Sequence, residues 1–313
     1  MESILKKSIV LLLLLYTISS AQTLEIGTFN IQWFPCKDNG EMMAKYGIDL
    51  KYPPKGQTTD VRALFNLLKE LDIELLALNE IVDVQMVTDS AKKYLGDEFK
   101  FIYSPEGGSQ KVGFLYDSSV LELVGNPETY ANILLKPDSR LRPAFRAYFK
   151  SKPNGFDFHA IVVHLKASPR GWDQRQRQLQ LLEGLLASLP EDSKDADIIL
   201  LGDMNNVTTA GAGEFKPMME KLGFYWASSE LENVPTNYWK PDWKINRIQG
   251  SAIDHIFVSS DAKVEYVENT TTVGGVCKLG AAEYQNDAIP EYFNVISDHC
   301  PVYATFKVDI DND

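Results

Sequence analysis

Apolar and polar positions along the chain repeat with two periods, and each period predicts a different element. Leu24 to Asn30 alternates like a strand, while Asp60 to Leu71 carries Val61, Leu64, Leu67, Leu68 and Leu71 at helical spacing. The short apolar run Leu75 to Leu78 predicts a buried strand, and a helix is predicted over Val84 to Tyr94. Phe101 to Tyr103 and Val112 to Tyr116 read as strands on either side of a Gly107-Gly108 turn. Arg146 to Lys150 and Phe156 to His164 read as a hairpin about Pro153-Asn154-Gly155. A long helix is predicted over Trp172 to Leu189, with Leu179, Leu182, Leu185, Leu186 and Leu189 on one stripe. Ile198 to Leu201, Ile253 to Val258 and Val302 to Phe306 complete the core strands.

Three stretches show neither period: 35–59, 210–249 and 269–295. Stretches this long are usually functional or carry small elements of their own. No internal repeat and no Ser/Gly-rich or Pro-rich linker divides the chain, so a single α+β domain with helices layered on stacked sheets is expected over 22–313. Residues 1–21 read differently. Lys6 and Lys7 precede the apolar run Ile9 to Leu15, and small residues follow at Ser19 and Ala21. That is the pattern of a cleaved secretory signal, with an apolar core too short for a membrane span. A mature protein beginning at Gln22, secreted or periplasmic, is the expectation. An uncleaved anchor is the weaker reading, and the absence of a nearby cysteine argues against a lipoprotein.

Composition narrows the function classes. The 313 residues are 44% hydrophobic and 24% charged, ordinary values for a globular chain. Acidic residues outnumber basic ones 43 to 31, giving a net charge of -12, which argues against a broad cationic face for gripping nucleic acid. Nucleic acid remains open as a substrate, because an enzyme can hold phosphate through a metal and a few local cations. Three cysteines are too few for a disulfide framework or a thiolate zinc module. Cys36 and Cys277 are available to pair after export, and Cys300, before Pro301 and a core strand, reads as packing. Asn206-Val207-Thr208 and Asn269-Thr270-Thr271 match glycosylation acceptors, although a glycan on the first would crowd Asn205.

Polar residues recur where the apolar strands end, the usual place for a site. Asn30, Glu80 and His164 close three of them; Asp203 and Asn205 follow Leu200-Leu201-Gly202. Asp254 and His255 lie within Ile253-Asp254-His255-Ile256, and Asp298 and His299 precede Cys300. Singly, each has an ordinary explanation as a turn former or a solvated carboxylate. Together, six strand ends each deliver an acid, an amide or an imidazole. Of the four histidines, His159 alone stands outside this set.

The ordered series Thr28-Phe29-Asn30, Asn79-Glu80-Ile81, His164-Leu165-Lys166, Gly202-Asp203-Met204-Asn205, Ile253-Asp254-His255-Ile256 and Ser297-Asp298-His299 resembles the endonuclease/exonuclease/phosphatase superfamily. The resemblance spans nearly all of the mature chain, and the terminal Ser-Asp-His is its most specific part together with Gly-Asp-x-Asn. It implies a DNase I-like four-layer α/β/β/α sandwich that cleaves phosphate esters with a divalent cation, magnesium or manganese. Carried over by position, Glu80 is the principal metal ligand with Asn30 beside it. Asp203 orients or deprotonates the attacking water, and Asn205 holds water or a phosphate oxygen. His299 meets the scissile phosphate with its tautomer fixed by Asp298, and His164 donates to another phosphate oxygen. Asp254 matches a carboxylate near the metal or leaving group. Arg142, before Pro143-Ala144-Phe145, takes the place of an arginine near phosphate.

Elementary chemistry agrees with that assignment. Phosphoester cleavage rests on positioning and on neutralising charge at the phosphate oxygens. Carboxylate and amide oxygens suit magnesium, which keeps several waters. A zinc site is disfavoured because the histidines follow different strands and no His-x-x-x-His pair exists. The substrate is less legible. Ile253-Asp254-His255 departs from the Cys-Asp-Arg of inositol 5-phosphatases, and the Trp-Arg-x-Asp-Tyr segment of repair endonucleases is absent. Trp239 and Trp243 flank Lys240-Pro241-Asp242, an arrangement suited to stacking bases, to dipping into a lipid interface, or to simple surface packing. Arg170, Arg175 and Arg177 read as a solvated face rather than a rail for phosphate. A secreted phosphodiesterase acting on nucleic acid is the leading expectation, with no stable protein partner implied. A phosphatase or phospholipase C-type enzyme for small or lipid phosphoesters is the alternative, and an inactive binding protein the remote one.

Overall fold

The apolar runs become the central strands of two six-stranded sheets. The computed structural model describes residues 23–309 except 137–139, 153–154, 168, 194, 206–208 and 233. The candidate signal segment, Gln22, the tip of the predicted 146–164 hairpin and the Asn206-Val207-Thr208 acceptor therefore lie outside the described residues.

In chain order the strands are β1 (Thr23–Phe34), β2 (Leu75–Ile81), β3 (Phe99–Tyr103), β4 (Lys111–Asp117), β5 (Leu121–Tyr130), β6 (Ala144–Ser151), β7 (Asp157–His164) and β8 (Ile198–Asp203). They continue as β9 (Tyr225–Trp226), β10 (Asn237–Trp239), β11 (Arg247–Ser251), β12 (Asp254–Val258), β13 (Thr272–Val273), β14 (Glu283–Gln285) and β15 (Val302–Lys307). The helices are α1 (Gly40–Lys45), α2 (Val61–Leu71), α3 (Val84–Tyr94), α4 (Trp172–Ser193), α5 (Thr209–Lys221) and α6 (Tyr292–Val295).

The first sheet has the order β13-β15-β1-β2-β4-β3 and the second β5-β6-β7-β8-β12-β9. Their inner faces share one apolar core, from Ile26 and Phe114 on one sheet to Phe149, Phe158 and Leu201 on the other. Helices α2 and α3 cover the outer face of the first sheet through Leu64, Phe65, Leu68, Val87 and Ala91. Asp60 and Asp83 cap them, each accepting a backbone N–H in the first turn at 2.9 Å. The outer face of the second sheet packs on α4 and α5 through Leu179, Leu182, Leu186, Phe215 and Met219. The result is the expected four-layer α/β/β/α sandwich. Among the described residues no helix is long and apolar enough to cross a membrane.

Two features depart from the sequence reading, and the long aperiodic stretches carry elements of their own as expected. Strand β5, an exposed edge, has no apolar alternation to betray it, and a register shift between Val124 and Glu128 breaks its pairing. The stretches 210–249 and 269–295 supply α5 and a small three-stranded sheet, β10-β11-β14. Cys300 is not mere packing: it forms a disulfide with Cys277, and Cys36 is the buried free thiol. Pairing follows spatial approach, here of the 275–299 excursion returning beside the start of β15, and spacing along the chain does not encode it.

Candidate active site

Strand register assembles the site. Asn30 on β1 faces Asn79 on β2, while in the second sheet His164, Asp203 and Asp254 form one row across β7, β8 and β12. Gly202 makes the approach of β7 and β8 possible: at φ +140 its absent Cβ would fall 2.0 Å from the Val163 carbonyl oxygen. Glu80 and Asn205 leave the strands in left-handed backbone, at φ 62 and φ 51, as do Gln32 and Trp33 opposite. Such conformations cost roughly 1–3 kcal/mol each and persist where surrounding contacts fix them. The β1–β2 register shifts at this point, so Glu80 turns into the site and its Oε2 accepts the Trp33 N–H at 3.1 Å.

Asp203 is the hub. It is 2% exposed, its Oδ2 accepts Asn30 Nδ2 at 3.0 Å and its Oδ1 accepts the Asn205 N–H at 2.8 Å. Burial pushes its carboxyl up to about 7, against the lowering influence of His299. His164 Nε2 lies 3.4 Å from Asp203 and 3.7 Å from Glu80. Burial, with Arg142 and His299 nearby, holds His164 well below the ordinary imidazole range, so it is neutral. Asn205 and Arg142 both donate to the Leu165 carbonyl, at 3.1 and 3.0 Å.

His299 departs from expectation in its partner. Its Nδ1 lies 2.9 and 3.1 Å from the two oxygens of Asp254, which is fully buried and held by Thr236 Oγ1 at 2.7 Å. Asp254, not Asp298, therefore orients the ring of His299. Asp298, its chain neighbour, stands instead on the far side of the ring, with Oδ1 3.8 Å from Nε2. Burial alone would lower His299, but the charge and hydrogen bond of Asp254, with Asp298 and Asp203 beyond, hold it well above its usual value. Nε2 of this imidazolium also stands 3.8 Å from Asp203.

Two other expectations change. Trp243, 87% exposed, lines a cleft with Glu80 and Asp298, whereas Trp239, paired with Gln249 in the small sheet, is not part of its lining. The arginines at the start of α4 are not simply a solvated face. Arg175 is buried, donates to the Lys166 carbonyl at 2.7 Å and lies over Trp172, while Arg177 lines the second cleft. His255 turns away toward Ser228 and Trp226, and burial pushes it down to about 4.

Several positioning groups escape a reading of strand ends. Asn79 joins the sheets, Thr236 holds Asp254, Ser297 Oγ donates to the Asn30 carbonyl at 2.7 Å, and Gln32 accepts the Asp298 N–H at 2.9 Å. An amide inside the apolar run Leu75–Ile81 was a signal for Asn79. Thr236 lies in a stretch without periodicity and gave none.

The donor set of Glu80, His164 and Asp203, each offering a ligand atom within 4.8 Å of the others, fits a divalent cation. Asp203, Asp254 and His299 lie as close together, but protonated His299 offers no lone pair, so that group is a hydrogen-bonded charge relay for the ring and not a second ligand set. Buried carboxylates, one of them raised by desolvation, gain from a cation among them. Glu80 is also the meeting point of two cavities, of about 900 and 790 Å³, which share Trp33, Leu50 and Glu80.

The sequence profile of the Endonuclease/Exonuclease/phosphatase family matches residues 27–299. A family protein of that description from Bacteroides thetaiotaomicron superposes with TM-score 0.59 at 17% identity, covering 93% of this chain and 99% of that one. TDP2 of D. rerio, in complex with a single-strand DNA product, gives TM-score 0.63 at 17% identity over 91% and 99%. A mannosyl-6-phosphatase of B. thetaiotaomicron gives 0.58 at 17% identity over 91% and 98%. No curated protein matches the sequence.

Proposed function

The chain belongs to the endonuclease/exonuclease/phosphatase family, whose members are metal-dependent phosphoric ester hydrolases, and from that premise we propose a secreted or periplasmic phosphodiesterase that cleaves nucleic-acid strands. The observation that carries this reading is the position of Glu80. It lies where two cavities join, so the reactive centre sits within an open groove rather than at the bottom of a closed pocket. A groove running past the centre on both sides suits a chain, with Trp243 offering a ring face for a base on one side. The Cys277–Cys300 disulfide supports export to an oxidising compartment.

Glu80, with Asn30, Asp203 and His164 at hand, would hold the cation, magnesium or manganese. When bound, the ion supplies neutralisation of charge on the phosphate oxygens. The chain's own groups do the rest. Asp203, its two oxygens restrained by Asn30 and Asn205, orients a water and takes its proton. His299, kept protonated and oriented by Asp254, donates from Nε2 to the phosphate. Arg142, anchored on the Leu165 carbonyl, adds fixed positive charge.

A second reading has its own observation. Tyr52, Trp243 and Ile245 are 82%, 87% and 51% exposed, and Tyr52 and Trp243 line the same cavity, as an enzyme meeting a lipid surface would present them. The test is one assay of protein recovered from the medium or periplasm on single-stranded DNA, RNA, sphingomyelin vesicles and a chromogenic phosphodiester, with magnesium and with EDTA. Trp243→Ala is expected to raise KM on polynucleotide and to spare the chromogenic diester. Turnover of sphingomyelin alone, lost on vesicles in Trp243→Ala, would replace nucleic acid by lipid.

A further inference from the structure

The larger of the two cavities reverses the charge balance of the chain. Across the whole sequence 31 basic residues face 43 acidic ones. The lining of this cavity has Lys136, Arg140, Arg142, Lys166 and Arg177 against two carboxylates, Asp49 and Glu80, of which Glu80 is already committed to the reactive centre. Among the described residues none of the five cations is paired in a salt bridge, whereas Lys92, Lys216 and Lys221 on the outer surface are.

These cations come from separate parts of the fold. Lys136, Arg140 and Arg142 lie between β5 and β6, Lys166 just after β7, and Arg177 on the second turn of α4. They are also crowded. Arg142 donates to the Leu165 carbonyl at 3.0 Å and Arg175 to the Lys166 carbonyl at 2.7 Å, which brings two guanidinium groups against the Lys166 backbone. Gly171 leaves room for the Lys166 stem, since a Cβ there would lie 2.6 Å from Lys166 Cγ. Gathering like charges in a cleft of a strongly acidic protein is unfavourable unless an anion relieves it.

We infer that the cavity beside Glu80 lined by Lys136, Arg140, Lys166 and Arg177 is a second phosphate subsite, which binds an anionic group of the substrate other than the one being cleaved. This inference rests on the reading of Glu80, Asp203 and His299 as a phosphoester-cleaving centre and adds a requirement to it: the preferred substrate carries at least two phosphates. The groove is then divided by chemistry. Charge is recognised on the Arg177 side of Glu80, and a ring face on the Trp243 side. The second phosphate comes either from the next nucleotide of a strand or from a small polyphosphorylated ester.

The experiment measures binding in EDTA, where turnover is silent, by titration calorimetry with a six-residue thymidine oligonucleotide and with inorganic tripolyphosphate. The variant is Arg140→Gln/Arg177→Gln, both residues being exposed so that folding is not at stake. Lys216→Gln/Lys221→Gln, on α5 and outside either cavity, carries the same charge change. The cleft variant is expected to weaken binding on the order of 10-fold and to flatten its salt dependence, with the α5 variant unchanged. Loss on both probes assigns a general polyphosphate subsite, and loss on the oligonucleotide alone assigns the strand backbone. Equal binding by wild type and cleft variant, equal losses in the two variants, or no binding by wild type overturns the inference. Hydrolysis of a chromogenic phosphodiester with magnesium by the wild type reports separately on the catalytic reading, so either can fail without the other.

Discussion

Asn79 on β2 and Asp203 on β8 are joined across the two sheets: the Asp203 backbone N–H donates to the Asn79 side-chain oxygen at 3.2 Å. The Asn79 Nδ2 donates in turn to the Val163 carbonyl at 3.2 Å, so one buried amide fastens the first sheet to two strands of the second. Removing it leaves buried backbone groups without a partner at the base of the site. Asn79→Ala is expected to cost about 1–3 kcal/mol in stability. It is also expected to lower kcat roughly tenfold or more, because Asp203 loses its placement. Denaturant midpoints and steady-state kinetics on a chromogenic diester check both.

Glu80 is the next target. Glu80→Gln keeps an oxygen to accept the Trp33 N–H but loses the charge, so the fold is expected to survive while activity falls by about 10²-fold or more. Magnesium or manganese is expected to raise the melting temperature of the wild type and not of the variant, since an ion bound only by the native state stabilises it. EDTA is expected to abolish turnover and added ion to restore it; activity surviving exhaustive chelation would falsify the metal requirement.

The Asp254–His299 pair acts as a unit. Asp254→Ala and His299→Ala are each expected to reduce kcat by about 10²–10⁴-fold. Since Asp254 works through the His299 ring, the double variant is expected to be little worse than His299→Ala alone. Additive losses in the double variant would separate the two roles.

Far from the site, buried His159 packs at a tilt against the Tyr148 ring and meets Arg146 Nη1 at 3.3 Å. Burial, and then Arg146, pushes it down to about 4 from an ordinary value of 6.5. The folded state therefore resists a proton that the unfolded chain accepts. Its contribution is full above pH about 6.5 and is lost as pH falls toward 4. His159→Gln removes that slope, and unfolding curves of both proteins across this range are expected to diverge on acidification in favour of the variant. Parallel curves would exclude His159 as the source.

Reduction of Cys277–Cys300 tests the segment that delivers His299. The bond closes a loop of sequence separation 23 that ends beside that histidine. Cys277→Ser is expected to cost about 2–4 kcal/mol and to lower kcat more than it raises KM. Dithiothreitol is expected to mimic it in the wild type and to leave the variant unaffected, as read by thermal melts and kinetics.

The central strands were legible because both of their faces are buried, which makes β8 a continuous apolar run; α2 and α4 were legible because one face is. The edge strand β5 was not, since Gly125, Pro127 and a bulge interrupt any period. Helix α5, with two glycines and Pro217, has a weak stripe for the same reason. The site residues were legible as polar ends of apolar strands. Their pairing was not, because it depends on which strands become neighbours: Asp254 reaches Nδ1 of His299 from β12, whereas the chain neighbour Asp298 stands only on the Nε2 side. Position likewise separated Trp243, which lines the groove, from Trp239, which pairs within the small sheet, where the sequence offered two equivalent indoles.

The meeting of two cavities at Glu80 has a consequence for inheritance. Most of the machinery at the junction, Asn30, Glu80, His164, Asp203 and Asp254, comes from β1, β2, β7, β8 and β12, whereas the walls on either side come largely from connecting segments. Substitutions in one wall can redraw what is accepted there while the junction, locked by strand register, stays as it was. Such a scaffold can exchange one half of its substrate preference at a time, and descendants of one ancestor need share nothing but the row of polar side chains at its centre.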